Sequence, residues 1–112
     1  MNTQENNQLI AEFMGMTYGD PNDDSVMIQT TPQGNEVVPI ESMEYHTSWD
    51  WMMSVVEKIE SLRDPNGNAY RFSIDMCNAQ IEGTTIEVLG GAYKLDTVYK
   101  AVVQFIKNYK NN

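Results

Sequence analysis

From Tyr45 to Leu62 the chain reads Tyr-His-Thr-Ser-Trp-Asp-Trp-Met-Met-Ser-Val-Val-Glu-Lys-Ile-Glu-Ser-Leu, and this stretch constrains the fold more than any other. Trp49, Met52, Met53, Val56, Ile59 and Leu62 recur at spacings of three and four, so they line one face of an α-helix. Thr47 or Ser48 can serve as N-cap, and Asp50 places a negative charge in the first turn, where the helix dipole favours it. Each of those side chains contributes roughly 1.5–3 kcal/mol when fully buried, so this helix is the expected main core donor.

With 112 residues, 41% of them hydrophobic and 21% charged, the chain has the size and balance of one globular domain, expected to span 1–112. No apolar run reaches the ~18 residues of a membrane span. The N-terminal Met-Asn-Thr-Gln-Glu-Asn-Asn lacks the basic and apolar regions of a signal peptide. A cytoplasmic protein is therefore the expectation. Cys77 is the single cysteine, which rules out an intrachain disulfide and a cysteine-rich zinc site; it reads as a small buried hydrophobe.

The net charge of −9 is unevenly distributed. Every ionised side chain before Lys58 is acidic: Glu5, Glu12, Asp20, Asp23, Asp24, Glu36, Glu41, Glu44, Asp50 and Glu57. Such a half repels nucleic acid and anionic membrane, and neither is expected as a partner. Acidity of this kind keeps a protein in solution, and the sharper reading is an acidic face presented to a basic protein.

Thr3 to Met14 predicts a first helix with Leu9, Ile10, Phe13 and Met14 as its stripe, and Gly15 stands where a left-handed C′ residue belongs. Tyr18 to Ser25 carries turn chemistry throughout. Val26–Thr30 and Val37–Ile40, separated by Thr31-Pro-Gln-Gly-Asn, can form a hairpin whose second strand Pro39 confines to an edge. Asp64-Pro-Asn-Gly-Asn stops the central helix. Tyr70, Phe72 and Ile74 then alternate with polar residues as in a half-buried strand. Residues 76–89 continue in β character, and Gly83 marks either a bend in one strand or the turn of a second hairpin. Lys94 to Lys110 predicts a last helix striped by Leu95, Val98, Tyr99, Val102, Ile106 and Tyr109. This order is that of an α+β fold: a small antiparallel sheet packed with three helices, in the manner of an α-β-α sandwich.

Three blocks carry a resemblance: Leu9-Ile-Ala-Glu-Phe-Met-Gly15, Tyr45-His-Thr-Ser-Trp-Asp-Trp-Met-Met-Ser-Val-Val-Glu-Lys-Ile59 and Val98-Tyr-Lys-Ala-Val-Val-Gln-Phe-Ile-Lys107. In this order they resemble small proteins of Bacteroides-type bacteria and their phages or mobile elements, similar to the phage α-β-α sandwich family. Ser54 stands where such relatives often have proline, and Asn108 where they often have tryptophan. The resemblance implies a fold and a setting, and no activity for any residue.

Candidate chemistry is sparse. His46, with Asp50 four residues on and Glu44 nearby, has the makings of a carboxylate-oriented general base, but no nucleophile can be placed beside it. Asp20-Pro-Asn-Asp-Asp24 matches the start of a calcium loop, yet Ser25 replaces the required glycine and Thr31 the closing glutamate, so no metal is expected. Gly90-Gly91 matches no phosphate-binding fingerprint, and no cofactor is implied. Trp49 and Trp51, two residues apart, cannot both point inward. Trp49 belongs to the stripe; Trp51 sits at its margin, as a second core anchor or as part of an exposed contact patch. Trp51 and the loop acids Asp20, Asp23 and Asp24 are the candidate binding residues, with a protein partner or a second copy of the chain as the expected ligand. The alternative is a small-molecule or nucleotide-handling enzyme built on His46.

Overall fold

The periodic segments fold as helices and the alternating ones as strands. The computed structural model describes residues 3–20, 23–75, 78–89 and 93–110, and the side chains of these except 19, 20, 23–25 and 110. The result is α+β, with three helices and two three-stranded antiparallel sheets. Contacts divide it into two compact units, Met1–Glu44 and Tyr45–Asn112.

The first unit comprises α1 (Thr3–Phe13), β1 (Thr17–Asp20), β2 (Asp23–Thr31), β3 (Gly34–Pro39) and a 3₁₀ turn at Ile40–Ser42, with sheet order β1-β2-β3. α1 buries Asn7, Ile10 and Ala11 at helical spacing, and the buried amide of Asn7 donates to the Met43 carbonyl at 3.4 Å. The end of α1 is a Schellman motif. The Met16 N–H donates to the Ala11 carbonyl and the Gly15 N–H to that of Glu12, both at 3.0 Å, with Gly15 at φ +97°.

Met27 is fully buried in the middle strand, paired with Tyr18 on one side and Val38 on the other. Tyr18 ties β1 to α1: its hydroxyl donates to Glu12 Oε1 at 2.7 Å and accepts from the Gln8 amide. β1 corrects the reading of Tyr18–Ser25 as turn throughout. Asp20 pairs with Asp23, and pairing of Thr17 and Tyr18 with Ile28 and Met27 overrides the local preference of their neighbours. β3 is an edge strand, as Pro39 requires.

The second unit comprises α2 (Trp49–Ser61), β4 (Arg71–Ile74), β5 (Ala79–Glu82), β6 (Glu87–Val88) and α3 (Lys94–Lys110), with sheet order β4-β5-β6. The single sheet expected from the sequence is thus two sheets, because β1 gives the first hairpin a third strand and the Gly83 turn makes β5 and β6 a hairpin of their own. Ser48 caps α2, its hydroxyl accepting from the Trp51 N–H at 3.5 Å. At the other end, the Arg63 guanidinium donates to the carbonyls of Glu60 and Leu62.

Ala79, Ile81 and Val88 are buried on one sheet face, with Phe72 and Ile74 half-buried beside them. α2 packs against β4, α3 against β5 and β6, and the two helices against each other. Glu60 reinforces the α2–β4 contact by accepting from the N–H of Phe72 at 3.2 Å. From α3, Val98, Tyr99, Ala101, Val102, Val103, Phe105 and Ile106 are buried, a wider stripe than the sequence predicts at its centre, whereas Leu95 and Tyr109 at its ends are half-buried and exposed.

In α2 the buried residues are Met52, Val55, Val56 and Ile59, whereas Trp49 and Met53 are 39% and 40% exposed. This corrects the expected stripe. With about 100° per residue, a row centred on Met52 and Ile59 takes Val55 rather than Met53 on its flank, and leaves Trp49, the first helical residue, at the outer margin.

Two glycines with positive φ differ in surroundings. A Cβ on Gly15 would meet nothing within 4 Å, whereas one on Gly83 (φ +92°) would lie 3.2 Å from Cδ1 of the Tyr70 ring. Gly15→Ala is expected to cost about 1–2 kcal/mol from backbone conformation alone. Gly83→Ala should cost more, since Tyr70 is 8% exposed and has little room to yield. Equal denaturant midpoints for the two variants would show that the Tyr70 contact adds nothing.

Candidate functional site

The outer face of α2 is the candidate site. Trp49, Met53 and Glu57 follow each other at four-residue spacing, so they form one row along the helix. Asp50, Glu57 and Glu60 are exposed with it. A large aromatic ring and a flexible thioether thus lie in water among three carboxylates, with no lysine or arginine interposed in the row. Such a surface can bury apolar area against a partner while its rim attracts cations.

Trp51 lies on another side of the helix. It is half-buried, its ring meeting Tyr45 edge to face with centroids 4.9 Å apart. Asp20 and Asp23 face each other across the end of the β1–β2 hairpin; the side chains of Asp20, Asp23 and Asp24 lie outside the described residues, as do Cys77 and Gly90-Gly91. Trp51 belongs to the second unit and the three acids to the first.

Tyr45 is 3% exposed, and burial pushes its phenol up from the ordinary 10 to about 12. Between pH 10 and 12 the unfolded chain has lost this proton while the folded chain keeps it. The stability that the neutral phenol confers is complete below pH 10 and is lost as pH rises toward 12, by up to about 1.4 kcal/mol per pH unit. Tyr45→Phe should flatten this part of the stability curve relative to wild type. Parallel curves for the two proteins from pH 9 to 12 would contradict the assignment.

His46 is exposed, its ring 6.2 Å from that of Tyr99 and tilted 59° to it. His46→Ala is expected to leave the denaturant midpoint within about 0.5 kcal/mol of wild type, as for an ordinary surface substitution. A turnover assay that lost its signal with this variant would support the enzyme alternative instead. Among the described residues no group of three or more His, Cys, Asp or Glu is arranged to hold a metal ion. No described helix is long and apolar enough to cross a membrane.

A second feature escaped sequence reading. An open cleft of about 370 Å³ is lined by Asp64, Tyr70, Gly83, Thr84, Phe105 and Tyr109, among others. The Asp64-Pro-Asn-Gly-Asn segment gave only a turn signal, and Tyr109 only a place in a helical stripe. Neither carries a pattern that would join them. No protein-family model, curated protein or solved structure matches the chain.

Proposed function

We propose that this chain is a non-enzymatic protein-binding module, a small cytoplasmic accessory protein of phage or mobile-element type, and that its partner is a basic protein. The observation that carries the reading is the row of Trp49 and Met53, exposed side by side on α2 and flanked by Asp50, Glu57 and Glu60. Interface energy concentrates in aromatic anchors of this kind, and charges at the rim select the sign of the partner. A second copy of the same face would bring like charges together, which favours a heterologous partner over self-association through α2. The setting rests on the resemblance of the three helical blocks.

Capture of partners from the native host on immobilised chain tests the reading, followed by association kinetics at low and high salt. Exposed charges act over about 8–10 Å at physiological ionic strength, so higher salt should slow association more than it speeds dissociation. Binding that strengthens with salt would instead indicate apolar self-association. Tight binding to duplex DNA at physiological salt would overturn both.

A further inference from the structure

The cleft of the second unit has a composition that restricts what can occupy it. One wall is aromatic: Tyr70 meets Phe105 edge to face at 5.0 Å, and Phe105 stacks on Tyr109 at 5.5 Å with 19° between the planes. Tyr109 remains 41% exposed. Another wall is the turn after α2, where Asp64 Oδ1 accepts the N–H groups of Asn66 and Asn68, both at 2.9 Å. Both of these bonds fall on Oδ1; Oδ2 takes no hydrogen bond among the described residues. Among the described side chains no lysine, arginine or histidine lines the cleft, and Asp64 is the one carboxylate.

Each ligand class can be weighed against this lining. An anion would meet a carboxylate and no cation. A wholly apolar ligand would cover Asp64 and the amides of Asn66 and Asn108 without hydrogen-bonding them. An organic cation satisfies both walls, and a planar one does so best: a guanidinium lies flat on an aromatic ring and directs parallel N–H groups at a carboxylate, which an ammonium cannot do. The volume is at the low end of the roughly 300–1,000 Å³ typical of ligand sites, and the cleft is open. A free small cation would therefore be held weakly, whereas a side chain delivered by a docked macromolecule has its positional entropy already restricted.

We propose that this cleft receives an arginine side chain of a protein partner, with Asp64 as the carboxylate and the exposed ring of Tyr109, backed by the buried Phe105, as the stacking face. The inference rests on the reading of a basic protein partner and names one group that partner presents. It is tested apart from the α2 face.

The full chain, ¹⁵N-labelled, is titrated with N-acetyl-Gly-Arg-Gly-amide and its lysine and citrulline counterparts. The arginine peptide should shift the amides of Asn66, Gly83, Thr84 and Asn108 saturably. The uncharged citrulline peptide should bind about tenfold more weakly, as should the arginine peptide to Asp64→Asn, which keeps an Oδ1 acceptor for the turn but loses the charge. Tyr109→Ala should weaken binding about fivefold through loss of the stacking face. Trp49→Ala should leave the titration unchanged, so failure of the α2 reading and failure of this one are distinguishable. The assignment is overturned by absent or non-saturating shifts, by equal binding of the citrulline or lysine peptide, or by indifference to Asp64→Asn.

Discussion

Ile59→Ala is expected to lower the unfolding free energy by about 2–5 kcal/mol, the range for emptying a packed core position. Ile59 is fully buried on α2, in the row with Met52, Val55 and Val56 that faces the rest of its unit. Truncation removes apolar contact and leaves a void that a helix held against β4 and α3 can collapse into only partly. For a domain with an ordinary stability of about 5–15 kcal/mol, this is enough to populate unfolded chain at moderate temperature. Urea unfolding at constant m-value measures it. Met53→Ala, on the exposed side of the same helix, should change the midpoint little. If the two variants had equal midpoints, the assignment of buried and exposed faces of α2 would be wrong.

Trp49→Ala is expected to weaken binding of the basic partner by at least about thirtyfold, the loss of roughly 2 kcal/mol that marks an interface anchor. Met53→Ala should cost less, since a thioether supplies adaptable contact rather than a rigid face. The loss should appear in the dissociation rate. Neutralising Asp50 and Glu57 should instead act on the association rate and its salt dependence. Because Trp49 is 39% exposed, its truncation should leave the fold in place, and an unchanged unfolding midpoint checks that directly. A partner that bound wild type and Trp49→Ala with equal affinity would remove α2 from the interface.

The three helices were legible because each carries its own periodic stripe and terminal signals. Gly15 ends α1 through a Schellman motif, and Ser48 starts α2. Register within a stripe was less legible. A stripe centred toward Trp49 and Met53 and one centred on Met52 and Ile59 both fit the helical period, and only the surface that α2 meets decides between them. The strand at Thr17–Asp20 was hidden because its glycine and aspartate favour turns, while its pairing with Met27 and Ile28 is tertiary. Gly83 allowed a bend or a turn; the bond from the Ile81 N–H to the Ile86 carbonyl, with Thr84 bonded to both flanks, makes it a turn. The same limit applies to the candidate site. The acidic excess before Lys58 is plain in the sequence, but which tryptophan faces water is not. Tyr45 engages Trp51, and Trp49 is left exposed. The cleft brings a turn after α2 together with the last turn of α3, and no local pattern encodes that meeting.

The most direct test of the binding-module account is site-specific photo-crosslinking in the native host. A photoreactive amino acid is incorporated at position 53, in the exposed row of α2, and in a second strain at position 73, an exposed position on β4. The account predicts one basic protein crosslinked from position 53, with the yield reduced by Trp49→Ala and little product from position 73. No product from position 53, or the same product at equal yield from both positions, would contradict it.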